Sequence, residues 1–247
     1  MSSEQQNSVR LSQKPKLSAL FWKIASDFRL VFITFVIVFI VCILFLVTFL
    51  IYPHFNNLVA ASRGTPWGVV TSVFAHEGVE HFTVNMVGIF VVFFLFAVCN
   101  SYLSESEKRR RIIFFILASF LAAVIANLLW VVLEPRGESV GASGLFYASE
   151  GIFMMLALCN GLNLLDRKTF DTRDKYSKLV IKCNLAVSMF LVLEILISSS
   201  AFLNVGAGVN AGVHGLAFLL GLGLTAGFTF WRPQSVLPAQ HQEARSG

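Results

Sequence analysis

The chain has 247 residues, of which 56% are hydrophobic and only 13% are charged, with 25 phenylalanines and a formal net charge of +5. A water-soluble domain carries about a quarter charged residues, so composition excludes a soluble globular protein and identifies a membrane protein. The positive balance describes a basic rim against anionic lipid rather than a nucleic-acid site.

A bilayer's hydrocarbon core of roughly 30 Å needs about 20 apolar residues in a helix, and six stretches qualify. Residues 1–20 are polar and rich in Ser, Gln and Lys, a composition that does not fold alone. Phe21–Phe28 mixes aromatic residues with Lys23 and Asp27 and reads as an interfacial approach. The first span, Leu30–Ile51, is uncharged and lies too far from the N-terminus for a cleaved signal peptide. Tyr52–His81 is the one long outer connection. It holds Pro53, Gly64, Pro66 and Gly68 among apolar residues, and is expected to lie on or partly in the outer leaflet with Trp67 as its anchor.

The second span is Phe82–Cys99, extended by the polar residues before it, and the third is the uncharged Ile112–Leu133. Gly141–Cys159 carries Glu150, Leu185–Leu203 carries Glu194, and Asn210–Trp231 carries His214, with Asn210 placed to cap the last helix. Glu150 reads as a buried packer or a group tuning the site. Glu194 has Asn127 and Lys182 as candidate partners. His54 and His241 read as surface residues. The expected architecture is an all-α, six-transmembrane-helix bundle at 30–231 between polar tails at 1–29 and 232–247.

Lysines and arginines set the orientation. They crowd the N-terminal segment, the second-to-third loop (Lys108–Arg111), the fourth-to-fifth loop and the C-terminal tail, against Arg63 and Arg136 on the other side. Both termini are therefore expected in the cytoplasm. Cys42, Cys99, Cys159 and Cys183 lie in or beside spans, none in an outer loop, and read as small apolar packers rather than disulfide partners.

Spans two, four and six run from outside to inside, and each opens on polar residues: His81 and Asn85, Ser143, and His214. At 1.5 Å rise per residue these share one depth near the outer boundary. Ionisable and polar side chains inside a membrane are costly and mark function by default. A serine hydroxyl becomes a nucleophile when a neighbouring base takes its proton, and His214 is the candidate base. Ser143 at a helix N-terminus has backbone N–H groups suited to an oxyanion. His81 and Asn85, four apart, share a helix face and can add donors. Ser143 alone reads first as a small residue easing helix contact; taken with His214 and the His76–Asn85 stretch at the same depth, it reads as a nucleophile. His76-Glu-Gly-Val-Glu-His81 misses the H-E-x-x-H zinc pattern by one residue, so neither metal nor other cofactor is expected.

Gly141-Ala142-Ser143-Gly144 with Tyr147 and Gly151, His76-x4-His81-x3-Asn85 after Trp67, and His214 with Gly221 resemble the rhomboid family of intramembrane serine proteases over spans two to six. The resemblance implies Ser143 as nucleophile, His214 as base without an acidic third member, and an oxyanion site from the Ser143 N–H, His81 and Asn85. It implies Tyr147 packing on the His214 ring and His76 as a structural loop residue. The family carries glycine three residues after the histidine; here that position is Ala217, and Gly215, Gly221 and Gly223 are expected to supply the small-residue face.

The implied activity is an endopeptidase acting on single-span or polytopic membrane proteins, with a small residue before the cut, in a prokaryotic plasma membrane. Span five and Asn204–Val209 are expected to form a side gate and cap. Two other functions fit parts of the pattern: a catalytically silent relative that binds membrane clients, and a transporter. The first predicts loss of Ser143 or His214, and the second predicts polar residues through the whole membrane depth. The sequence shows neither.

Overall fold

The computed structural model describes residues 17–134, 137–162, 165, 170–171, 173–197 and 210–231. Expectations for residues 1–16 and 232–247, Arg136, the Asn204–Val209 cap and His241 fall outside these residues, as does the side chain of Glu194, whereas the interfacial approach Phe21–Phe28 lies in a described helix.

Among the described residues the helices are α1 (Leu17–Asp27), α2 (Arg29–Ile51), the short α3 (Phe55–Val59) and α4 (Gly68–Thr71), α5 (Val79–Asn100), α6 (Glu105–Leu133), α7 (Ser143–Leu162), α8 (Lys175–Ile197) and α9 (Ala211–Trp231). Six of them (α2 and α5 to α9) are long and apolar enough to cross a membrane. The most hydrophobic stretch of α7 is 72% buried within the protein against 22% for α2, which makes α7 the central helix. Around it pack α5, α6, α8 and α9, with α2 on the outer flank of α5.

Two boundaries differ from expectation for one reason: polar turns continue a helix beyond its apolar stretch when their charges find partners. The Lys108–Arg111 run is not loop but the start of α6. Ser104 caps that helix, accepting the Glu107 N–H at 3.4 Å, and Glu105 and Glu107 favour the positive helix end. Lys108 reaches Asp27 at 2.5 Å and Glu105 at 2.7 Å. Likewise α8 starts at Lys175, ten residues before the apolar stretch. Asp174 caps it, accepting from the Ser177 N–H at 3.0 Å and hydroxyl at 2.8 Å. These bonds, the backbone one foremost, hold its carboxyl below the usual range.

α7 ends, like α5, at one end of the bundle, where Arg111 is 1% exposed. Its guanidinium donates to Glu107 at 2.9 Å and to the Asn100 and Asn160 side-chain oxygens at 2.8 Å each. Asn160 donates to Asn184 at 3.1 Å, and Asn184 donates to the Cys99 and Val180 carbonyls. One polar network thus ties α5, α6, α7 and α8 at this far end. Cys42 and Cys99 are buried as packers, whereas Cys183 is exposed.

At the opposite end the Tyr52–His81 connection is structured rather than irregular. It contains α3, α4 and a 3-10 turn at Ser72–Phe74. Trp67 and Leu58 are exposed, as an interfacial anchor requires, and the Trp67 indole N–H donates to the Leu58 carbonyl at 2.7 Å. His54 is exposed as expected.

Candidate active site

The residues before α7 are clamped to this connection. Ser139 and Ala61 exchange backbone hydrogen bonds at 2.9 and 3.1 Å, and the Gly141 N–H donates to the Ser72 carbonyl at 2.9 Å. Asn127 of α6 completes the clamp. Its amide donates to the Ser72 hydroxyl at 2.9 Å and the Val69 carbonyl at 3.2 Å, and its oxygen accepts from the Ser139 hydroxyl at 3.3 Å. Asn127 thereby holds the loop against α6. Sequence reasoning missed this role, although a lone amide in an otherwise uncharged span was the available signal.

Gly141 has φ +125, a conformation that L side chains rarely adopt, and a Cβ there would lie 2.8 Å from His81 Cε1 and Nε2 and 3.6 Å from Asn85 Nδ2. Only glycine lets the chain turn here while touching both α5 side chains. Two residues on, Ser143 opens α7 and is 8% exposed. The first N–H groups of a helix have no intrahelical acceptor, and its dipole is positive there. Asn85 is 5% exposed, and its Nδ2 is buried without a hydrogen-bond partner among the described residues.

His214 arrives from α9. The Asn210 side-chain oxygen accepts the Val213 N–H at 3.1 Å, the expected cap, so α9 begins one turn before the histidine. The His214 ring is buried and stacks on Tyr147 with centroids 4.4 Å apart and planes at 27°. Tyr147 is one turn below Ser143. Facing pairs run upward in number together (Gly144 with Val213, Tyr147 with His214, Gly151 with Phe218), so α7 and α9 are parallel and Ser143 and His214 stand at the same end of their shared seam.

The seam is close because of two glycines. A Cβ on Gly151 would collide with the Phe218 carbonyl, and one on Gly221 with the Ala148 carbonyl. Ala217 is fully buried between them without breaking the contact. The expected small-residue face is therefore narrower than read: Gly221 belongs to it, but a Cβ on Gly215 or Gly223 would meet nothing within 4 Å among the described residues. Gly144 makes only ordinary contact, its nearest Cβ neighbour being Val213 at 3.6 Å.

His76 is fully buried outside the spans. Its Nδ1 lies 3.2 Å from the Phe74 carbonyl, its carbonyl accepts from Asn56, and its ring meets His81 and Phe82 edge-on at 5.4 Å each. Burial, reinforced by His81, pushes its pKa down to about 4, so it is neutral at pH 7. Glu150 is buried on α7, two turns below Ser143 on the same face.

A central helix that begins on a glycine-flanked serine, among six membrane-crossing helices, with histidines and an amide converging on its start, defines a polytopic membrane protein with one polar site at one end of its bundle. Residues 63–233 match the Rhomboid domain, and the chain belongs to the rhomboid family, a family of intramembrane proteases. The matched stretch runs from the loop before α4 past the end of α9. No curated protein matches the chain.

Proposed function

We propose that this protein is a serine endopeptidase that cuts membrane-protein substrates with Ser143 and His214 as its dyad. His214 takes the Ser143 hydroxyl proton as the oxygen attacks the scissile carbonyl carbon. The carbonyl oxygen becomes an oxyanion and accepts from the Ser143 N–H, the Asn85 amide and His81. Collapse breaks the peptide bond, and His214 returns the proton to the leaving amine. Water then attacks the acyl-serine by the same route and releases the acid. Tyr147 holds the imidazole in plane by stacking, standing in for an acidic third member. His76 packs the His81 ring from behind.

One observation carries this reading: the Asn85 amide is buried beside Gly141 and the start of α7 with a donor left over. Native interiors rarely leave such groups unpaired. A donor held ready for charge that exists only during reaction explains it, and a protein that merely binds clients has no need of it. The distribution of lysine and arginine supports a site at the outer face of the membrane, where water can reach it. A substrate helix must be locally unwound to present its carbonyl.

The test is cleavage of a single-span model substrate by purified protein in detergent. The wild type is expected to cut, and Ser143→Ala and His214→Ala each to lose about 10³-fold or more of the rate. A fluorophosphonate should label Ser143 and fail to do so in His214→Ala. Cleavage surviving both substitutions, or a wild type that binds the substrate intact, would overturn the proposal.

A further inference from the structure

We infer that Trp130 is a positioning residue for the dyad: its indole, wedged between Gly137 and Gly212, sets how His214 stands toward Ser143. The inference rests on the dyad reading above and adds to it a residue that acts through the base without touching the reacting atoms.

Trp130 lies in the last turn of α6, and its backbone carbonyl accepts the Glu134 N–H at 2.8 Å. Its ring meets two glycines on opposite edges. A Cβ on Gly212 would lie 2.4 Å from Cζ3 and 2.9 Å from Cε3, and one on Gly137 would lie 2.8 Å from Nε1 and 3.2 Å from Cε2. Each glycine belongs to a segment that delivers one member of the dyad. Gly137 lies in the connection that bonds to Ala61 through Ser139, turns at Gly141 and ends on Ser143. Gly212 is the second residue of α9, two before His214.

Helical phase tells which way the ring acts. Residues two apart in a helix point about 160° apart, so the indole bears on the side of α9 away from the His214 ring. On the His214 side stands α7, whose Tyr147 stacks on the imidazole with centroids 4.4 Å apart. The start of α9 is thus held between two rings, Trp130 behind and Tyr147 in front. Trp130 also packs against the apolar cluster that holds Tyr147, Val213 and Ala217. The indole cannot retreat from Gly212, because Gly137 closes on its other edge. Carbon atoms in good contact stand about 3.5–4.0 Å apart. A methyl at 212, starting 2.4 Å from the ring, must therefore shift the start of α9 by about 1 Å. A misplacement of that size far from the chemistry can cost about 10²-fold in rate.

The experiment is a double-mutant cycle on the purified protein. It reads kcat and KM on the single-span substrate and the rate at which a fluorophosphonate labels Ser143, each per folded molecule. Gly212→Ala pushes α9 away from the indole. Alanine is the better helix former, so a loss comes from the ring contact and not from the helix. Both kcat and the labelling rate are expected to fall about 10–100-fold with KM little changed. Trp130→Phe shortens the ring, lets α9 fall back the other way and should lose a similar factor. The indole N–H has no hydrogen-bond partner among the described residues, so the variant tests ring size. The new methyl fills space that the smaller ring vacates, so the double variant is expected to exceed the poorer single one about tenfold, a coupling typical of residues in contact. Where Gly212→Ala does not fold, Trp130→Leu beside Trp130→Phe gives a second reading, in which the loss of kcat grows as the side chain shortens. Unchanged kcat and labelling with only the thermal midpoint lowered, or a double variant no faster than the poorer single one, overturns this assignment alone. A wild type that cleaves nothing, or a Ser143→Ala variant that still cleaves, overturns the dyad reading and this one with it.

Discussion

The two ends of the bundle bury polar groups in opposite ways. At the far end, Arg111, Asn100, Asn160 and Asn184 join four helices, and the guanidinium makes three hydrogen bonds to side-chain oxygens. At the site end, Asn85 Nδ2 and His76 Nε2 are buried without partners, and Gly141 holds a conformation open chiefly to glycine. Buried polar groups destabilise unless bonded. The Arg111 network meets that condition and acts as architecture, whereas Asn85 Nδ2 at the site end leaves it unmet, as expected of a surface organised for a transient charge.

The contrast separates stability from activity and can be broken at either end. Glu107→Ala removes the only carboxylate on the Arg111 guanidinium among the described residues and leaves a nearly fully buried cation on neutral acceptors. A loss of about 3–5 kcal/mol is expected, read as a lower thermal midpoint in detergent, with cleavage per folded molecule little changed. Asn85→Ala should do the reverse. It removes a donor with no resting partner, so the midpoint should hold while kcat falls about 10²–10³-fold. A midpoint drop in Asn85→Ala as large as in Glu107→Ala would mean that the amide is structural.

His76 sharpens the comparison through pH. Its folded pKa of about 4 lies below the ordinary 6.5, so the unfolded chain binds a proton over a range where the folded chain does not. Its neutral form stabilises fully above pH 6.5, and that contribution is lost as pH falls toward 4, amounting to roughly 3 kcal/mol across the window. The groups facing it are the His81 ring and the neighbouring, exposed Glu77. His76→Phe should flatten the acid limb of the midpoint-versus-pH curve. An unchanged limb would assign the titration elsewhere.

The spans were legible because a lipid-facing helix must be apolar for its full length, and uncharged runs such as 30–51 have no other reading. The starts of α6 and α8 were not legible, because hydropathy stops at the hydrocarbon edge and the helix does not. What prolongs it there is local pairing, Ser104 with Glu107 and Asp174 with Ser177. At the site, polar residues at one depth on three spans were visible in the sequence. The Asn127 clamp joins residues far apart in the chain, and its amide has no periodicity to betray its partners. The seating of Trp130 on Gly212 was hidden for the same reason, since an apolar residue in an apolar helix carries no signal of its neighbour.

Glycine shows the same limit within one helix and gives the smallest expected effects. Gly215, Gly221 and Gly223 look alike in composition, but from His214 a step of seven returns to the same face and a step of nine reaches the opposite one. Gly221 accordingly lies against the Ala148 carbonyl, and Gly223 faces open space. Gly221→Ala must spread α7 and α9, at a cost of about 1–3 kcal/mol, and because the same seam aligns Tyr147 with His214, cleavage should fall with it. Gly223→Ala adds a methyl that touches nothing and removes backbone freedom from the unfolded chain, so stability should rise by up to about 1 kcal/mol with the rate unchanged. Thermal midpoints and rates measured side by side decide the point. Equal losses in both would show that glycine content along α9, rather than its phase, sets how closely the two helices approach.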